Sequence, residues 1–416
     1  MQNFCWQKGT NPSSIIKEIN KHRKLADGKI SYNGFAFEVY FGVLASCICD
    51  IAEISDSLKY VLLRKALFNT EMGTEIELDH LIKLLNIEKH NYQKIPSKPF
   101  TLYTSISASW LAPRKYITFD DCYIYFVQHN KKFYGEGKRD LERIRRTLEL
   151  ASVSEPKMKF LEVYIKVSAR NSQEAYDIGM RNLEYFRGLM NIFYNLKHRR
   201  VIEFNKVWRP TNKIVVGPYH TVHNAEGVCE GERFWYEPSF VEPSMIVDFD
   251  KDWSDLYRFV MNIKKKLKKS KIGPFVRDAI RRYCLALDQS DQHSSFRDLW
   301  ATLEFLTVTQ NANFDSTIRR IVNLYGADNQ IVIEICKYLK LKRNQMVHAQ
   351  REVHDSLDLV EHARDFVESL ILFLVNTKAK FETEQEIGYF LDLPRDVGLL
   401  ERREHLLRYA RDFRQG

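Results

Sequence analysis

NQIVIEICKYLKLKRNQMV, residues 329–347, sets its apolar residues at the 3.6-residue spacing of an α-helix. The same spacing recurs in WSDLYRFVMNIKKKLKKS (253–270), in 274–287, in SSFRDLWATLEFLTVT (294–309), in FDSTIRRIVNLYG (314–326) and in SLDLVEHARDFVESLILFLVN (356–376). Each segment has one stripe to bury, and short connections bring neighbouring stripes together. The reading is an all-α bundle over 249–380. Residues 381–416 keep a helical pattern but are charged, with Pro394 as a break, and read as a C-terminal extension.

Upstream the pattern changes. The helical segments of the first hundred residues run from NPSSIIKEINKH (11–22) through LASCICDIAEI (44–54) and LKYVLLRKAL (58–67) to LDHLIKLLNI (78–87), while GKISYNGFAFEVYFGV (28–43) alternates like a strand. After Pro96 and Pro99 come FTLYTSISASWL (100–111), KYITF (115–119), CYIYFVQ (122–128) and FLEVYIKVSA (160–169), rich in aromatic and β-branched residues and read as sheet. A helix follows from Asn171 or Ser172, with Glu174 in its first turn. VIEFNKVW (201–208), KIVVGPY (213–219) and RFWYE (233–237) read as further strand pieces. Residues 1–248 are thus a mixed α/β region, either one unit or two, 1–95 and 96–248, and the whole chain is α+β.

At 416 residues there is length for two or three cores, and an apolar share of 44% with 28% charged is that of an ordinary packed protein. No stretch approaches a membrane span and the N-terminus lacks the pattern of a secretory signal, so a cytoplasmic protein without membrane contact is expected. The seven cysteines, at 5, 47, 49, 122, 229, 284 and 336, form no CxxC pair and read as reduced, mostly buried thiols. A net charge of +9 favours a polyanionic partner through counterion release.

The chemistry is concentrated in KLKRNQMVHAQ (340–350), where Arg343 is followed at once by Asn344 and five positions on by His348. On a helix Asn344 and His348 share a face one turn apart, and the long Arg343 stem reaches the same spot. Metal-free RNA cleavage needs a proton taken from a 2′-hydroxyl, a proton given to the departing 5′-oxygen, and charge stabilised on phosphorus. His348 suits the proton steps, because imidazole titrates near neutrality. Arg343 suits the charge through its planar fork, and Asn344 orients the histidine or donates to a phosphate oxygen. One imidazole does not easily serve both sides of a phosphate, so two chains are expected to pair with two-fold symmetry and bring two motifs to one cleft.

The order of these features resembles the HEPN superfamily, and more closely the Apea-like HEPN domains. The resemblance rests on the LWATLEFL helix with Trp300 and Glu304, then Arg343, Asn344 and His348, then the apolar helix from Leu357 to Val375, and it covers about the last third of the chain. Ala349 with Gln350 departs from relatives that often carry Gly after the motif. The resemblance implies a metal-independent endoribonuclease, with these three residues lining a dimer cleft and no cofactor. More loosely, the N-terminal region resembles the variable modules that precede HEPN domains in bacterial antiviral systems. That implies a sensor, answering a phage-derived protein or nucleic-acid trigger, in abortive-infection defence.

Glu304 could fix the imidazole tautomer or pair with Arg343, or form an internal salt bridge; Trp300 reads as core packing rather than base stacking. Lys264, Lys265, Lys266, Lys268 and Lys269 could track an RNA backbone or simply solvate a helix face. His220, His223 and Cys229 lack a fourth partner and a zinc-type frame, so no metal site is expected. His354 and His362 read as exposed helix residues. The competing function is a non-catalytic dimeric helical module that binds RNA or protein.

Overall fold

Side-chain caps written in the sequence start several of the helices. A computed structural model describes residues 3–32, 34–49, 54–69, 71, 73, 75–110, 116–120, 122–127, 141–197, 211–230, 234–309, 313–325, 330–349 and 356–415. Among these, Ser55 accepts the Leu58 amide, Asp248 that of Asp250, Asp291 that of Ser294 and Asn313 that of Ser316, each filling an orphan donor of a first turn. The chain divides into two compact units, one of Met1–Leu102, Lys166–Gly179 and Val222–Glu230, the other of Tyr103–Ile165, Met180–Thr221 and Gly231–Gly416.

The first unit contains α1 (Pro12–His22), the hairpin β1 (Arg23–Ala26) and β2 (Lys29–Tyr32), α2 (Gly34–Ser46), α3 (Asp56–Leu67) and α4 (Leu78–Lys94). Their core joins Ile16 and Ile19, Phe37, Phe41 and Leu44, Leu62, Leu63 and Ala66, and Leu81, Leu84 and Leu85. The strand expected over 28–43 is mostly helix. Phe37, Phe41, Leu44 and Ala45 are the buried positions, a 3.6-residue spacing that also passes for alternation in so apolar a stretch. Nor does the helix expected over 44–54 continue past Ser46: Ile48 bridges back to Trp6, and the chain beside it pairs with the N-terminal segment.

The strands are β3 (Lys98–Ile106), β4 (Ala108–Ser109), β5 (Tyr116–Phe119), β6 (Cys122–Val127), β7 (Leu161–Ala169), β8 (Tyr219–His223), β9 (Trp235–Tyr236) and β10 (Val247–Asp248). A six-stranded sheet has the order β5-β6-β7-β3-β8-β9, antiparallel in its two edge pairs. Between strands come α5 (Leu141–Leu150) and the long α6 (Ser172–Lys197), where the Asn171 side chain accepts the Glu174 amide at 2.8 Å, as the sequence led one to expect. The segment KIVVGPY is largely irregular before β8 begins at Tyr219, and VIEFNKVW lies outside the described residues.

The bundle is formed by α7 (Phe249–Lys269), α8 (Gly273–Asp288), α9 (Gln292–Leu306), α10 (Phe314–Leu324), α11 (Gln330–Ala349) and α12 (Ser356–Asn376). α9 packs on both α8 and α12, burying Leu299, Leu303 and Leu306 with Ile280, Leu287, Val367 and Ile371. α13 (Glu384–Leu391) and α14 (Val397–Gln415) follow; α14 buries none of its residues. The mixed α+β class with a helical C-terminal region is as expected.

The compact units do not divide at residue 248. Trp110, Phe126, Phe249 and Trp253 form one aromatic cluster, with Trp110 and Trp253 4.2 Å apart, and Arg187 on α6 is joined to Asp288 at the end of α8. α6 approaches α8 closely because position 188 is glycine: a Cβ there would lie 2.6 Å from the Ile280 carbonyl oxygen.

Candidate functional site

Val332, Cys336 and Leu339 are the buried stripe of α11, and the next position on that stripe is Arg343. Its half-buried guanidinium is thereby directed at α10, where it lies over the Phe314 ring at 4.1 Å from the centroid. Among the described residues no carboxylate pairs with Arg343. One face of the cation is occupied by the ring, while its N–H edges have no acceptor among the described residues. Lys340, one turn earlier, pairs with Asp315 at 2.5 Å and fixes α11 against the same first turn of α10.

Phe314 is supported from behind. It meets Trp300 edge-on at 6.2 Å, and the buried Trp300 donates its indole N–H to Glu304 Oε1 at 2.8 Å. Trp300 is therefore core, as its sequence context suggested. The Glu304 carboxylate reaches Arg343 only through two rings, not by the direct ion pair weighed from the sequence.

Asn344 is half-buried, and its side-chain oxygen is shut off from solvent with no hydrogen-bond partner among the described residues. His348 lies one turn further along α11, and helical spacing puts it on the face of Asn344. The His348 and Ala349 side chains, Gln350 and His354 lie outside what is described. His362 is half-buried on α12.

The first turn of α10 also borders a polar cavity of about 300 Å³ lined by Thr309, Asn313, Ser316, Arg320, Gln385 and Tyr389, among others. Its wall is strained. Val308 follows α9 at φ +53°, a left-handed conformation that a β-branched residue rarely adopts. Val308 N donates to Phe305 O and Thr309 N to Glu304 O, the pair of bonds that ordinarily closes a helix on glycine. Arg320 holds the turn, donating to the Thr307 and Val308 carbonyls at 2.7 and 2.8 Å while gripping Asp392 through two nitrogens at 2.6 and 3.0 Å. The Arg320 hydrogen bonds, with help from Arg319, hold the Asp392 carboxyl below the usual aspartate range. Neither Phe314 nor Arg320 was singled out in the sequence. An aromatic residue opening a helix and an arginine within an amphipathic one are each too common to signal a role.

The lysine run separates into different uses. Lys264 is half-buried, donates to the Thr118 carbonyl and lies 5.2 Å over the Phe119 ring; burial lowers its pKa. Lys266 bonds Asn376 at 2.6 Å. Lys265, Lys268 and Lys269 are exposed on α7. Of the two residues from the histidine-rich segment, His220 is fully buried with Nδ1 at 2.8 Å from Thr104 Oγ1 and Nε2 at 3.1 Å from Glu237, so both nitrogens are occupied. His223 Nδ1 meets the Gly227 carbonyl at 3.1 Å, and Cys229 pairs with it through the backbone. Among the described residues no group of three His, Cys, Asp or Glu side chains is arranged to hold a metal, and no helix is long and apolar enough to cross a membrane.

Comparison of the chain with protein-family models, with curated proteins and with solved structures gave no match.

Proposed function

We propose that this chain is a metal-independent endoribonuclease of the HEPN type, with Arg343, Asn344 and His348 as its catalytic residues. The observation that carries the reading is Arg343 itself: a guanidinium fixed on Phe314, free of any described carboxylate, beside an Asn344 amide oxygen without a partner among the described residues, on the helix that continues to His348. In the reaction His348 takes or returns the proton of the 2′-hydroxyl and the 5′-oxygen, Arg343 binds the non-bridging oxygens as charge builds on them, and Asn344 orients imidazole or phosphate. The products are a 2′,3′-cyclic phosphate and a 5′-hydroxyl end.

A homodimer supplies the second imidazole. Leu341, two turns before His348 on the same face, is 55% exposed, and Ile331 on the same helix is 71% exposed, which leaves apolar surface on the motif helix for a second copy. The mixed α/β region is proposed as the sensor of a phage-derived trigger and the whole as an antiviral, abortive-infection device acting in the cytoplasm; the resemblance of the C-terminal third is the support for this part.

The test is incubation of the full chain with single-stranded RNA, and with DNA of the same sequence, in excess chelator. RNA is expected to be cut to cyclic-phosphate ends and DNA, lacking the 2′-hydroxyl, to survive. Cleavage only when a divalent metal is added would end this reading and leave an RNA- or protein-binding module.

A further inference from the structure

Cys5 and Cys49 lie 44 positions apart in sequence, yet their sulfurs are 2.9 Å apart. Both belong to the first compact unit. The backbone brings them together: Trp6 bridges Ile48, Gln7 N donates to Cys47 O at 2.7 Å, and Cys49 N donates to Cys5 O at 2.9 Å. Asn86 on α4 fixes the preceding residue, accepting from Phe4 N at 2.9 Å and donating to Phe4 O at 3.1 Å. The two side chains therefore meet across a short antiparallel pairing whose position is set by bonds on both sides.

The pair is also reachable. Cys5 is exposed and Cys49 half-buried, whereas Cys47, Cys122, Cys284 and Cys336 are buried. The Cys5 thiol donates to Cys49 Sγ, which also accepts the Cys5 backbone N–H at 3.0 Å, and this thiol–thiol bond raises the Cys5 pKa. The sequence led to a reading of reduced, mostly buried thiols, and neither member of this pair is fully buried.

We infer that Cys5 and Cys49 are a redox modification site that closes to a disulfide by exchange with a small disulfide such as oxidised glutathione. A thiolate of the pair attacks one sulfur of the small disulfide, forming a mixed disulfide and expelling one small thiolate. The second cysteine then displaces the remaining small thiolate and forms the intramolecular S–S bond. Two protein thiols lose two electrons and their protons, and one small disulfide becomes two small thiols. The bond ties the N-terminal segment to the end of α2 and closes a loop holding α1, the β1–β2 hairpin and α2. Such a loop loses much of its freedom in the unfolded chain, so oxidation stabilises the first unit. This inference is independent of any nuclease activity.

The experiment treats the full chain with oxidised glutathione, blocks free thiols with an alkylating agent and maps the digest by mass spectrometry, alongside thermal unfolding. A Cys5–Cys49 cross-linked peptide is expected, reversed by dithiothreitol, together with a rise in the lowest melting transition on the order of 5 °C that a Cys5→Ser chain does not show. In Cys5→Ser, Cys49 should stop at the mixed disulfide with glutathione. Recovery of both cysteines alkylated, or each carrying its own glutathione with no cross-link, would overturn the inference, as would an equal melting shift in Cys5→Ser.

Discussion

Arg187 and Arg343 belong to the same compact unit and are used in opposite ways. Arg187 is 1% exposed, grips Asp288 through two nitrogens at 2.9 and 2.6 Å and donates to the Ile214 carbonyl at 3.0 Å. Burial works against its charge, and Asp288, which also accepts from Asn212, more than offsets it, so its pKa is raised. Arg343 has an aromatic seat and no described carboxylate. An arginine clamped by a carboxylate and a carbonyl holds elements together; one oriented by a ring, its N–H edges unclaimed by any described acceptor, is ready for a phosphate.

Arg187→Ala should give the largest loss of stability of any change considered. It leaves Asp288 without its cation beside the half-buried Glu184 carboxylate, and breaking such a pair costs about 3–5 kcal/mol. A large fall in the urea midpoint checks this, and a shift of under about 1 kcal/mol would reduce the pair to a surface-like contact.

Arg343→Ala reverses the balance. Losing a partly exposed cation–π contact should cost about 1 kcal/mol or less, while losing the charge-stabilising donor should slow RNA cleavage by roughly two to three orders of magnitude. Urea unfolding and single-turnover cleavage, measured on one preparation, separate the two. Strong destabilisation with proportionate loss of activity would make Arg343 structural and erase the contrast with Arg187.

The smallest effect expected is on pH dependence, and it takes opposite signs in two places. Asp392 has its pKa lowered by Arg320, so its contribution is complete above the ordinary aspartate value and is lost as pH falls through the lowered folded value. Glu368 on α12 is fully buried, with Tyr283 OH at 2.5 Å and Asn195 Nδ2 at 2.8 Å both donating to one oxygen. Burial raises its pKa, and Arg364 only partly opposes that. Between the ordinary glutamate value and this raised one, the unfolded chain ionises while the folded chain holds its proton. Stability therefore falls as pH rises across that window. Asp392→Asn should flatten the acid limb and Glu368→Gln the fall in stability above the ordinary glutamate value; urea midpoints across pH that keep both slopes in the variants would contradict these assignments.

The C-terminal bundle was legible because each helix carries its own apolar stripe: the six helices α7 to α12 fall where 3.6-residue spacing put them. The region over 28–54 was not, since a segment apolar on nearly every side satisfies both periods and only packing selects Phe37, Phe41 and Leu44. At the candidate site, the motif could be read from spacing, but the seat on Phe314 could not, because it pairs residues from two helices. Glu304 illustrates the limit. Its position suggested a reach toward the motif, and its carboxylate is instead taken by Trp300 four residues back. The Cys5–Cys49 pairing was invisible for the same reason, lying between segments that no local pattern connects.

The central claim is tested most directly by comparing the parental chain with His348→Ala on single-stranded RNA in chelator, with melting temperature and dimer mass as controls. Loss of cleavage by about two to four orders of magnitude is expected, with fold and mass unchanged. Cleavage by His348→Ala at the parental rate would contradict it.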